Sequence, residues 1–84
     1  MMEDIIIKPI ATEKTMLQLE KENKLSFMVN KKSRRGDIKR EVEEKFSVKV
    51  TDVNIIITKN GKKAVVTLSK EFSADEIAGR IGIF

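Results

Sequence analysis

Residues 53–68 read V-N-I-I-I-T-K-N-G-K-K-A-V-V-T-L. Two apolar runs flank Asn60-Gly61, a pair suited to a two-residue type I′ turn, which needs positive φ at both central positions. Pairing the strands about that turn sets Val53 opposite Leu68, Ile55 opposite Val66 and Ile57 opposite Ala64. All three pairs are apolar, so turn and core register agree. The other face carries Asn54 with Thr67, Ile56 with Val65 and Thr58 with Lys63. Ile56 and Val65 are too apolar for a fully wet face, which predicts partial cover. Lys59, Lys62 and Lys63 gather at the turn, as a basic spot or as guards against edge pairing.

Upstream of the hairpin, Ile38, Val42 and Phe46 form an i, i+4, i+8 row that predicts an amphipathic helix. Ser33 is its expected N-cap, and Arg35 and Lys39 lie four apart on a neighbouring face. Before it, Leu25, Phe27 and Val29 alternate with Ser26 and Met28, the period of a half-buried strand. An earlier helix is capped by Thr12, with Glu13 in its first turn; Met16, Leu17 and Leu19 form its apolar face and Asn23 its stop. Ile5-Ile6-Ile7 is a β-branched run closed by Lys8-Pro9, where the proline stops a ladder or confines the strand to an edge. Downstream, Ser73-Ala74-Asp75-Glu76 is a capping box, with Phe72 and Ile77 placed as a hydrophobic staple. That predicts a third helix of about two turns ending by Gly82. Ile83 and Phe84 are expected to pack down. The order is β-α-β-α-β-β-α: an α+β fold, one small domain spanning 1–84, with a largely antiparallel sheet and helices on one face.

Charge is concentrated rather than averaged. Lys31 to Arg40 reads K-K-S-R-R-G-D-I-K-R, six basic residues against one Asp, so +5 within a chain whose net charge is +4. Everything else sums to −1 (4 − 5). Such a footprint suits a polyanion, although a solvated basic face is the plainer alternative. Position decides between them. Arg34 and Arg35 fall at a helix start, where the macrodipole disfavours cations and free N–H groups favour anions.

The absences exclude more. The 84 residues contain no His, Cys, Trp or Tyr. The commonest general base, nucleophile and metal ligands are therefore missing, so neither catalysis nor a cofactor is expected. A base-stacking platform of aromatic residues is poorly supplied. Lack of Cys fits a cytosolic protein, and no apolar run is long enough to enter a membrane.

Three stretches, in order, resemble the large-subunit ribosomal protein L twenty-three family. Ile7-Lys8-Pro9-Ile10-Ala11-Thr12-Glu13-Lys14 looks like its I-K-P-x-x-T-E-K opening. Ile38-Lys39 through Val42-Glu43, Phe46, Val48, Val50, Val53 and Asn54 is similar to its helix-to-strand segment. Lys62-Lys63-Ala64-Val65-Val66-Thr67-Leu68, with Ile77 further on, is similar to its basic-led strand. The resemblance implies a cytoplasmic, ribosome-bound structural protein, a monomer within the large subunit, that binds 23S-type rRNA near the polypeptide exit tunnel. The partners it implies are ribosomal protein L twenty-nine, signal recognition particle and the translocon. Carried onto this chain, rRNA contacts would involve Lys8, Thr12, Lys14, Lys31, Lys32, Arg34, Arg35, Lys39, Asn54, Lys59, Asn60, Lys62 and Lys63. Glu13 matches a position the family exposes to docking factors. The short hairpin departs from the bacterial members, which lengthen it into the tunnel, and with the Arg80-Ile81-Gly82-Ile83-Phe84 ending it looks like the archaeal form.

Besides a pure protein-interaction module, which the apolar Ile56 and Val65 pair suggests, two other readings fit the composition. One is a free-standing basic RNA-binding regulator. The other is a small phosphatase-like enzyme in which Arg34 or Arg35 holds an anion and Asn54 places a water, although no Gly-rich anion loop accompanies them.

Overall fold

Leu25, Phe27 and Val29 are almost wholly buried, as their alternation predicts, but Ser26 between them is buried too, so the strand that carries them is more enclosed than the half-buried one expected. The computed structural model describes residues 5–82; Ile83 and Phe84, expected to pack down, lie outside the described residues. The elements are β1 (Ile6–Pro9), α1 (Glu13–Glu22), β2 (Lys24–Val29), α2 (Arg35–Phe46), β3 (Val50–Thr58), β4 (Gly61–Leu68) and α3 (Ala74–Ile81). The strands form one antiparallel sheet in the order β1-β2-β4-β3, so Pro9 does sit on an edge strand. β3 is the other edge; its nine residues hold one charge, Asp52, and neither Lys nor Pro.

One sheet face is covered. Ile38 and Val42 of α2, Leu19 of α1 and Ala74, Ile77 and Ala78 of α3 pack against Leu25, Phe27, Val29, Val53, Ala64, Val66 and Leu68. Phe46, half-buried, stacks on Phe27 with ring centroids 6.0 Å apart and planes 12° apart, a contact of about 0.5–1.5 kcal/mol beyond its buried area. Leu17 and Met16 do not join this core as expected. Leu17 lies two residues from both Thr15 and Leu19, hence on the opposite side of α1, and is 53% exposed, while Met16 is half-buried.

The hairpin forms, but its register differs from the predicted one by two residues. Val53 pairs with Val66, Ile55 with Ala64, Ile57 with Lys62 and Thr58 with Gly61, so the reversal is centred on Lys59-Asn60. Positive φ is needed only at Gly61 (+133°), and Asn60 stays out of the left-handed region, which removes the basis for a type I′ turn at Asn60-Gly61. A shift of two preserves every side chain's face. Val53 therefore still meets the core and Ile55 packs half-buried against it, but Ile57, expected inward opposite Ala64, lies opposite Lys62 beyond the core's end and is 74% exposed. A bulge between Val50 and Asp52 completes the fit: the extra residue, Thr51, lets Val50 and Val53 both point inward though three apart.

The caps follow the sequence more closely. Thr12 accepts from the Thr15 N–H at 3.2 Å, and Thr15 Oγ1 returns the bond, accepting from Thr12 N–H at 2.7 Å. Asn23 ends α1 in the left-handed region (φ 58°). Ser73 accepts from the Glu76 N–H at 3.3 Å, and Gly82 closes α3 at φ 76°. At α2 the expected Ser33 cap is replaced. Arg34 is the N-cap, and the Asp37 carboxylate accepts from its backbone N–H at 2.9 Å. Ser33 is buried one residue earlier, its hydroxyl donating to the Asn30 carbonyl at 2.5 Å, so it cannot serve the helix.

Candidate nucleic-acid interface

Two tight turns stand side by side at one corner of the fold. In the loop between β2 and α2, the Asn30 carbonyl accepts from Ser33 N–H at 3.0 Å and Asn30 Oδ1 accepts from Lys32 N–H at 2.9 Å. That turn holds Lys31 and Lys32 at its apex, both exposed. In the hairpin, Lys59 and Asn60 occupy the apex, and Thr58 Oγ1 donates to the Gly61 carbonyl at 2.8 Å. Lys62 joins the two. It points to the helix-bearing side of the sheet beyond the end of the core, where its ammonium donates to the carbonyls of Lys31 (3.4 Å) and Ser33. The sequence left open whether the two basic features share a side; the structure brings them together. Between the turns runs a groove of about 320 Å³ lined by Ile7, Met28, Lys31, Lys32, Gly61 and Lys62, among others.

The start of α2 follows directly from this corner. Arg34, Arg35 and Lys39 are all exposed. Asp37, the only acid in the Lys31–Arg40 run, is bound to the helix end, where its charge offsets part of the repulsion between macrodipole and arginines. The first-turn N–H groups that a helix cannot use itself lie at this same end of α2. Gly36 has open space where a Cβ would stand, so a phosphate can approach that backbone closely.

The uncovered sheet face carries a second set of candidates. Lys8 pairs with Met28, Met28 with Lys63 and Lys63 with Ile56, one rung across all four strands. The next rung is Ser26, Val65 and Asn54. Lys62 and Lys63, read together as one basic spot, therefore point to opposite faces. Val65 is buried and Ile56 is 45% exposed, so the cover expected for this pair reaches only Val65. Asn54 lies on this open face, whereas α2 with Arg34 and Arg35 packs on the other. A phosphatase-like site joining them is therefore ruled out by the sheet itself.

Thr12, Glu13 and Lys14 are brought together with neither set. They lie at the start of α1, where the Thr12 hydroxyl is engaged as a cap. Glu13 rims a shallow hollow of about 650 Å³ with Ala11, Met16, Leu17 and Glu20. Sequence reasoning missed Leu17 as a surface residue, although its spacing from Thr15 and Leu19 carried the signal. It also missed Ile7, 61% exposed, and Asn30, which builds the lysine turn.

A family model described as Ribosomal protein L23 matches residues 4–70. The chain belongs to the ribosomal protein L23 family. Among its relatives is the Large ribosomal subunit protein uL23 of Picrophilus torridus, 62% identical over 81 residues that cover 96% of this chain and 99% of that protein. The protein of the same name from Thermoplasma acidophilum is also 62% identical over 81 residues, covering 96% of both chains. That of Methanococcus aeolicus is 46% identical over 82 residues, 96% of this chain and 95% of the relative. Membership of the L23 family makes the chain a component of the large ribosomal subunit and agrees with the archaeal-type reading of its short hairpin.

Proposed function

We propose that residues 1–84 act as one non-enzymatic rRNA-binding domain that occupies its place in the cytoplasmic large subunit by neutralising phosphates. The observation that carries this reading is the stitched corner, where Lys62 ties the Lys31-Lys32 turn to the Lys59-Asn60 turn beside Arg34 and Arg35. Convergence of cations that would otherwise repel one another is stabilised further by a polyanion. Backbone contacts of this kind position the protein, while the prefolded shape reads an A-form RNA surface. Lys8, Lys63 and Asn54 extend the contact over the open sheet face; Lys39 extends it along α2.

The rim of the exit tunnel, beside ribosomal protein L twenty-nine, is the location the family resemblance favours. The α1 hollow supports a separate role there. Exposed Leu17 and half-buried Met16 beside Glu13 and Glu20 offer an apolar, acid-rimmed surface away from the basic corner, suited to a factor with a basic apolar segment. Signal recognition particle and the translocon are the partners we assign to it. Lys14, next to Glu13, would face RNA.

Converting Arg34, Arg35 and Lys39 together to Ala tests the rRNA reading. The fold should survive, since none is buried, and the salt dependence of binding to large-subunit rRNA should flatten by roughly 0.7–0.9 log units per lost contact. An unchanged slope would reduce the cluster to a solvated face. Failure of the wild-type chain to co-sediment with large subunits would favour the free-standing regulator.

A further inference from the structure

Ile7 is the extra residue of a bulge. Ile6 pairs with Val29 and Lys8 with Met28, so the chain inserts Ile7 between two ordinary partners. Bulges re-aim side chains, and they concentrate next to functional sites. This one delivers a large β-branched side chain to water, 61% exposed, on the floor of the groove between the two turns, beside Met28. The rim of the same groove is cationic through Lys31 and Lys32 of one turn, while the Lys62 ammonium, turned to the helix-bearing side, pins that turn in place through its carbonyls.

We propose that this groove seats one extruded nucleotide of the bound RNA, with its base on Ile7 and Met28 and its phosphates beside Lys31 and Lys32. The inference rests on the rRNA-binding reading above, which by itself needs only phosphates. The faces of its bases are the only broad apolar surface RNA has. In a continuous A-form duplex those faces are stacked and hidden, leaving phosphates and 2′-hydroxyls for a protein to meet. An apolar floor inside a lysine rim therefore gains nothing from a duplex and much from an unpaired nucleotide. The volume, about 320 Å³, is at the lower end of the roughly 300–1,000 Å³ typical of clefts for single small molecules, which suits one nucleotide and excludes a helix. Lys8 and Lys63, on either side of Met28 in the same rung, extend positive charge for the flanking phosphates.

The test compares the full chain with Ile7→Ser in complex with large-subunit rRNA, using base-specific chemical probes and, in parallel, hydroxyl-radical cleavage of the backbone. The wild-type complex should protect at least one unpaired base. Ile7→Ser should lose that protection while keeping the backbone footprint and the salt slope, and Ile7→Leu should retain it. Identical base reactivities in the wild-type and Ser complexes, with the backbone footprint intact, would overturn the nucleotide seat and leave rRNA binding standing. Absence of any backbone footprint in the wild-type complex would overturn both.

Discussion

Lys62 and Lys63 are adjacent, alike in type, and different in work. The Lys62 ammonium closes the corner through two carbonyls, while Lys63 stands on the open sheet face between Met28 and Ile56. Lys62→Gln should therefore lower stability by about 1 kcal/mol, a charged hydrogen-bond contribution discounted for partial exposure, and Lys63→Gln should leave it unchanged. Urea unfolding of the two single variants checks this. Asn23 is the more consequential residue. Its amide donates to the carbonyls of Leu68 (3.3 Å), Ser69 (3.3 Å) and Phe72 (2.8 Å), and its Oδ1 accepts from Ala74 N–H at 2.7 Å. Asn23→Ala removes these bonds and places a residue with a Cβ at φ 58° without the side chain that rewards it; a loss of about 2–3 kcal/mol is expected. Asn23→Gly keeps the backbone geometry, so its smaller loss should isolate the clamp. The helix stop at Asn23 was legible because αL tolerance is a local property. The clamp was not, because its partners lie 45–51 positions away in sequence and meet it only once β4 has paired.

Among the elements, the hairpin and α1 show how far local rules reach. Both hairpin strands and the sides of their residues were legible from the alternation of residues 53–68, since a period of two fixes sides, but not how far along the strand the core extends, which ends before Ile57. The turn's centre was not, because moving it by one residue shifts the pairing by two and leaves every face unchanged. Gly61 remains the position that cannot bear a side chain easily, with φ at +133° and Met28 Cε 3.2 Å from where a Cβ would stand. Gly61→Val should cost about 1 kcal/mol or more in thermal or urea unfolding. In α1 the two leucines divide by face. Leu19→Ala should lose about 2–4 kcal/mol through the cavity it leaves in the core, whereas Leu17→Ser should leave unfolding unchanged. If the α1 hollow docks nascent-chain factors, Leu17→Ser should speed their dissociation from assembled ribosomes, with Glu13→Lys acting mainly on the on-rate. Normal factor binding by ribosomes carrying both changes would return Glu13 to the task of a helix-start charge.

For the molecule as a whole, element order, sheet class and helix placement followed from punctuation that the sequence states openly: Pro9, Asn23, Gly61, Gly82 and the Thr12 and Ser73 caps. The site was only half legible. The Lys31–Arg40 charge could be counted from the sequence, and two arginines at a helix start were recognisable because the macrodipole makes them conspicuous there. That the hairpin tip closes onto the same corner depends on one lysine crossing from β4 to the β2–α2 loop, and no local pattern encodes that. Charge bookkeeping gives the matching global expectation. Replacing Arg34, Arg35 and Lys39 takes the net charge from +4 to +1 (4 − 3), yet removes nothing from the core. RNA affinity and its ionic-strength dependence should fall together, with the unfolding midpoint unmoved.

The β3 edge carries a liability of its own. Nine residues with three consecutive isoleucines, one carboxylate and no lysine or proline offer an unguarded row of N–H and C=O groups. Strands of this composition recruit other strands when left uncovered. Isolated chains should therefore self-associate through β3, and if the proposed rRNA contact covers that edge, supply in step with rRNA becomes a solubility requirement. Light scattering of the isolated chain should rise with concentration, and Ile56→Lys on that edge strand should suppress the rise.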